Sequence, residues 1–214
     1  MSAMQQSSDD SRRIWEALAF ILHRVYEPLE DEAADWAIIG SAASALQDVA
    51  VSPGELRILT EPNALEIWSG HLWDWLDDEP DNEGPGHAKL TLTVEQAPVT
   101  VFVREPRENE QGILLEGVGG AIWGVVGRVR FQNWLVPVAP LEVQFATAVG
   151  RMLRNPSQPS WQQLAGKMAQ VLYANGYYRE LIEEALSPFG PQAGNVAIDL
   201  IRAHAAPRSS KTIH

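Results

Sequence analysis

The chain has no cysteine among its 214 residues. That absence removes disulfides, thiolate catalysis and thiolate metal sites, while leaving the redox compartment open. Basic residues are also few: 16 lysines and arginines against 28 acidic side chains give a formal net charge of −12, which opposes the counterion release that drives most binding to DNA or RNA. General nucleic-acid binding is therefore not expected. Charged residues interrupt every apolar stretch before it reaches membrane-spanning length, so no membrane segment is expected. The opening residues 1–11 are polar and acidic and lack the basic-then-apolar order of a signal or transit peptide, which makes the cytoplasm the default location. The five histidines, His23, His71, His87, His204 and His214, include no pair at helical ligand spacing. A Gly-x-Ser-x-Gly elbow of the serine-hydrolase kind is missing too.

What is present is an apolar content of 45%, enough for a sizeable core in one large or two small domains. From residue 11 to about 29, Ile14, Leu18, Ile21, Leu22 and Val25 recur at three- and four-residue intervals and predict a helix with one buried face, capped by Ser8, Asp9 or Asp10. Residues 36–39 form a short apolar run ending at Gly40, and residues 41–47 are small and alanine-rich, which predicts strand, tight turn and helix. Pro53-Gly54 marks a turn before the alternating strand pattern of residues 56–60, and Pro62 opens a helix predicted to run to about residue 76. Within it Trp68, Trp73 and Trp75 suit core packing, with a partner-binding face as the alternative. Residues 77–86 carry charge, two glycines and two prolines and predict a solvated loop, without the ligand alternation of an EF-hand.

Residues 90–94 and 99–103 predict a β-hairpin about the link 95–98, and residues 129–131 and 134–138 predict two further extended segments, since Pro137 excludes a helix interior. The glycine-rich run 117–124 has no Lys-Ser or Lys-Thr after it and predicts a flexible turn or hairpin. From residue 141 the spacing becomes helical, over 141–153, 161–174, 177–186 and 192–204, punctuated by Pro156, Pro159, Gly176, Pro188 and Pro191. The expected organisation is an α/β domain with an N-terminal helix over residues 1–138, a helical subdomain over 139–206, and a basic, disordered tail over 207–214.

The segment from Trp36 to Thr60, with Gly40-Ser41 after its first strand and Glu55-Leu56-Arg57 on its second, resembles the first strand, turn, helix and second strand of the nucleotidyltransferase superfamily. Val136-Pro-Val-Ala-Pro-Leu-Glu142, followed by a helix containing Gly150-Arg151, resembles the entry to that family's C-terminal helices. Together the two stretches frame residues 35 to 175. The resemblance implies an α+β fold, a mixed sheet with flanking helices followed by a C-terminal helical bundle. Family members carry an Asp-x-Asp pair where this chain has Glu55 and Arg57. A third carboxylate comes from a later strand, here residues 99–103, where Thr100 and Phe102 stand instead.

In such sites the carboxylates hold two divalent ions, Mg²⁺ or Mn²⁺, which bridge to a nucleoside triphosphate and activate the acceptor oxygen. Glu55 keeps a carboxylate on a longer stem and is the one candidate metal ligand. Arg57 is permanently charged and repels a cation, but it suits a phosphate. The resemblance therefore implies a catalytically degenerate protein with no confident catalytic residue, in which Gly40, Ser41 and Arg57 are the candidate nucleotide-binding residues. Taken alone, Gly40-Ser41 also reads as an ordinary strand-to-helix turn with Ser41 as N-cap, and Glu55 and Arg57 as two side chains on one strand face. Two alternatives stand beside the degenerate reading. One is an active metal-dependent enzyme in which Glu61, Glu95 or Glu105 assists Glu55. The other is a protein-interaction partner that uses the tryptophan-rich stretch and the C-terminal helices.

Overall fold

The structure, a computed structural model, describes residues 3–77, 81–84, 87–102 and 119–204. Helix α1 (Ala3–Asp31) buries the face formed by Ile14, Leu18, Ile21, Leu22, Val25 and Leu29, as the spacing predicts. It begins earlier than expected, so Ser8, Asp9 and Asp10 lie within the helix and do not cap it. Strand β1 (Trp36–Ile39) is buried on both faces and leads directly into α2 (Gly40–Leu46), then β2 (Leu56–Thr60). That strand, turn, helix, strand order is the one read from the sequence.

The helix expected from Pro62 to about residue 76 is split. A 3₁₀ turn (Pro62–Ala64), α3 (Leu65–His71) and a second 3₁₀ turn (Trp73–Trp75) follow one another. Gly70 weakens the helix from within, and Leu72 leaves helical dihedrals at φ −118° and ψ 18°. The consequence is that the tryptophans diverge. Trp68 is fully buried, edge-on to Trp36 at 5.7 Å and donating its indole N–H to Thr60 Oγ1 at 3.1 Å. Trp75 packs edge-on against Phe20 at 4.8 Å, while Trp73 is 72% exposed. They do not form one binding face.

Strands β3 (Asp81–Gly84), β4 (His87–Val94), β5 (Ala97–Phe102), β6 (Gly127–Phe131) and β7 (Trp134–Val138) complete a seven-stranded sheet of order β3-β4-β5-β2-β1-β7-β6. The sheet is mixed: β2 pairs with β5 and β1 with β7 in parallel, and every other pair is antiparallel. Strand β3 corrects the expectation of a loop over 77–86. It pairs with β4 through Asp81↔Lys89, because main-chain hydrogen bonds at a sheet edge need no apolar side chains, and charged residues are well suited to an edge. Of the turn or hairpin expected in the glycine-rich run, the described part is a turn: Gly119–Gly124 is 3₁₀, with Ile122 buried. Val103, Glu105, Gly117 and the tail 207–214 lie outside the described residues.

Four helices follow the sheet: α4 (Leu141–Arg154), α5 (Pro159–Asn175), α6 (Arg179–Leu186) and α7 (Pro191–Ala203). The architecture is thus α+β, a mixed sheet with helices on both faces and a helical C-terminal region. Strand alternation assigns the faces. Trp36, Ile38, Leu56, Ile58, Val99 and Val101 point to the side of α1 and α3, and Ile39, Leu59 and Phe102 to the side of the C-terminal helices, which add Phe145, Val149, Met168 and Leu172. Each such aliphatic or aromatic side chain contributes about 1.5–3 kcal/mol by leaving water. Among the described residues, no helix is long and apolar enough to cross a membrane.

Candidate functional site

Period-two alternation along β2 puts Arg57 and Leu59 on the face that carries the C-terminal helices, and parallel pairing with β5 sets Thr100 beside Arg57 and Phe102 beside Leu59. Both positions considered for the third carboxylate therefore lie on the Arg57 face. Neither can ligate as an acid. Phe102 instead lies beneath Arg57, whose guanidinium carbon is 4.9 Å from the ring centroid. Thr100 is buried, and its hydroxyl donates to Glu55 Oε1 at 2.6 Å.

At the end of β1 the chain turns into α2 through Gly40, with φ at +71°. A Cβ there would stand 3.6 Å from Arg57 Cδ, an ordinary contact, so it is the left-handed backbone and not crowding by the arginine stem that calls for glycine. Ser41 follows, lining a cleft and not capping the helix, which starts at Gly40 without a side-chain cap. The turn is tied to α4 by buried polar groups. Ser44 Oγ lies 3.0 Å from the Gly40 carbonyl and 3.1 Å from Gln144 Oε1, sharing its one proton between them, while Gln144 Nε2 donates to the Ala139 carbonyl at 3.1 Å. Gln47 Nε2 donates to that same Ala139 carbonyl at 3.0 Å. In a low-dielectric setting such satisfied groups fix geometry, since breaking one leaves its partner buried and unpaired.

Between this turn and the helices lies a cleft of about 210 Å³. Gly40, Ser41 and Arg57 form one wall, α4 supplies Gln144, Thr147, Ala148 and Arg151, and α5 supplies Trp161, Leu164 and Met168. Arg151 stacks on Trp161, guanidinium carbon to ring centroid 4.7 Å. Among the described residues, the lining holds two guanidinium groups and no carboxylate. Gly40, Ser41 and Arg57, singled out in the sequence, do come together. Glu55 stays outside the lining, at the entry to β2.

Among the described residues, the donor set does not fit a pair of divalent cations. Glu55 offers one carboxylate, already accepting from Thr100, and the next outward position on that strand is a cation. Among the described residues no three histidine, aspartate or glutamate side chains converge, so Glu61 and Glu95 do not assemble a ligand set with Glu55. A phosphate fits better, because a guanidinium presents paired donors to its oxygens.

No family model and no curated protein matches the chain. Among solved structures, a "putative nucleotidyltransferase" from Thermotoga maritima is similar over 68% of this chain and 92% of its own, at 15% identity and a TM-score of 0.46. The polymerase core of TRAMP, an RNA surveillance complex, is similar over 95% of this chain and 58% of its own, at 11% identity and a TM-score of 0.33.

Proposed function

We propose that this protein is a catalytically degenerate nucleotidyltransferase-like module that binds a nucleotide through Arg57 and Arg151. The observation that carries the reading is the cleft itself: guanidinium groups from β2 and α4 line one cavity with Gly40 and Ser41, and among the described residues no carboxylate is part of the lining. In a chain of net charge −12 such a cleft complements an anion. Trp161, Leu164 and Met168 add the apolar surface against which a base packs, the usual division of labour in small-molecule sites. Two-metal transfer is disfavoured by the same residues, since a fixed guanidinium stands among the positions a metal would need.

The test is the unfolding midpoint with each of the four ribonucleoside triphosphates, in chelator and with Mg²⁺ or Mn²⁺. Ligand at about a hundred times its dissociation constant stabilises the native state by roughly 2.7 kcal/mol, a rise of roughly 5–10 °C for a chain of this size. One nucleotide should give a shift in chelator, and Arg57→Ala or Arg151→Ala should remove most of it. Metal-dependent nucleotide transfer that disappears in Glu55→Gln would overturn the degenerate reading in favour of an active enzyme built around Glu55. No shift with any nucleotide would overturn nucleotide binding. The protein-binding reading keeps the exposed Trp73 and, in the helical C-terminal region, the exposed Tyr178, and predicts a hetero-complex on size exclusion that Trp73→Ala or Tyr178→Ala disrupts and nucleotides leave unchanged.

A further inference from the structure

We propose that β6 is a strand-addition site for an extended acidic segment of a partner protein, which pairs antiparallel with it and sets carboxylates two residues apart opposite Arg128 and Arg130. The inference is independent of the nucleotide reading. Strand β6 ends the sheet, so one of its edges has no neighbouring strand. Which of its backbone groups are open follows from the hairpin with β7. The two-residue turn at Gln132 and Asn133 makes Phe131 and Trp134 a hydrogen-bonded pair, and hydrogen-bonded pairs recur at Val129↔Val136 and Gly127↔Val138. Arg128 and Arg130 fall between them and turn both N–H and C=O away from β7. Their opposite numbers agree with that phase: Pro137, facing Arg128, has no N–H to give, and the carbonyl of Leu135, facing Arg130, accepts from the Tyr26 hydroxyl at 3.3 Å. Among the described residues, no backbone hydrogen bond reaches either arginine from outside the hairpin.

The side chains say what strand the edge accepts. Alternation puts Val129 and Phe131 on the side of α1, where both are partly buried, and Arg128 and Arg130 on the other, where both are exposed. Arg128 reaches Glu30 of α1 at 3.2 Å, a half-exposed pair of the kind that contributes little and that a second carboxylate can replace. Arg130 makes no ion pair with any described residue. Charge on an edge strand ordinarily keeps copies of a protein apart. It does so here, because antiparallel pairing of two β6 strands about Val129 would set Arg128 of one opposite Arg130 of the other, and like charges directly opposite destabilise a ladder. The same arginines favour a strand with glutamate or aspartate at those places. A residue between the two acids falls beside Val129, so an apolar side chain there gains cover. The net charge of −12 repels an acidic segment at long range, but a screening length of about 8 Å at physiological ionic strength leaves the two arginines to decide at contact.

The experiment is a titration of the full chain, followed by amide nuclear magnetic resonance, with the capped peptide Ser-Thr-Glu-Val-Glu-Val-Thr-Ser. The amides of Arg128 and Arg130 should shift most, because their N–H groups gain an acceptor, and the shift should saturate by about 1 mM peptide. Arg130→Gln or Arg128→Gln, each at an exposed position, should weaken binding about two- to fivefold. The same peptide with lysine in place of both glutamates should not bind, and should bind when both arginines are reversed by Arg128→Glu and Arg130→Glu. Methylation of the two glutamate backbone nitrogens, which face β6 in the antiparallel pairing, should abolish binding while leaving every charge in place. Equal binding by the methylated peptide would make the edge a charged patch and overturn strand addition, and so would the absence of any shift. A single-stranded oligonucleotide that moves the same amides at lower concentration than the peptide overturns the acidic-peptide assignment. Shifts of those amides with protein concentration alone overturn it in favour of a second copy of this chain.

Discussion

Gly40 sits at φ +71°, in the region where a Cβ crowds the following carbonyl oxygen. The nearest atom to such a Cβ is Arg57 Cδ at 3.6 Å, an ordinary contact, so the strain of Gly40→Ala is in the backbone and not in a clash. The variant should lose about 1–2 kcal/mol, lowering the unfolding midpoint by roughly 2–8 °C for a chain of this size. Because Arg57 stays in place, nucleotide affinity should fall less than in Arg57→Ala. A midpoint equal to that of the parent would show that the turn relaxes to another conformation and would remove the strain argument. Gly40, Ser41 and Arg57 were legible in the sequence because a strand pattern, a glycine stop and a second strand place them by short-range rules. Gln144, Thr147, Trp161, Leu164 and Met168 were not. They reach the cleft only through the packing of α4 and α5 on the sheet, and on their own helices they carry no local mark of a site. Arg151 had one faint signal, its place after Gly150 in the first C-terminal helix.

The hairpin of β4 and β5 shows the same contrast at the level of an element. Its strands follow from alternation of β-branched residues, but the turn is made by Glu95 and Gln96, at φ 49° and 61°, neither of them a residue that favours a left-handed backbone. Val94 pairs with Ala97 across that two-residue loop, which with both φ positive has the character of a type I′ turn. Replacing Glu95-Gln96 by Asn-Gly should relieve about 1 kcal/mol and raise the midpoint by roughly 2–4 °C. An unchanged midpoint would show that the turn adopts another form in solution. Elements held by their own side-chain pattern, such as β1, β2, the four C-terminal helices and the buried face of α1 though not its start, were read correctly. Strand β3 was missed because its pairing with β4 is a main-chain affair that leaves no apolar alternation. The stretch after Pro62 was read as one helix because its apolar spacing runs on past Gly70, whereas tertiary packing turns Trp75 onto Phe20 and leaves Trp73 outside.

At the scale of the molecule the sheet carries a core on each face, and its central strands belong to both. Neighbouring residues divide between them: Ile38 and Ile39 on β1, Ile58 and Leu59 on β2, Val101 and Phe102 on β5. The cleft is built the same way, with Gly40, Ser41 and Arg57 from the sheet side and the rest of its lining from α4 and α5. Loosening either core must therefore loosen strands on which the other depends, and the residues before and after position 139 should unfold together. Leu22→Ala, in the core under α1, and Phe145→Ala, in the core under the C-terminal helices, each remove a side chain 2% exposed or less. Each should cost about 2–5 kcal/mol out of a total of about 5–15 kcal/mol. Far-ultraviolet and near-ultraviolet dichroism should report one transition in the parent chain and one, at lower temperature, in each variant. Two separated transitions, with Phe145→Ala moving only one of them, would make the C-terminal helices an autonomous folding unit. The cleft would then lie between two independently stable bodies, and ligand should raise both midpoints only when both walls are intact.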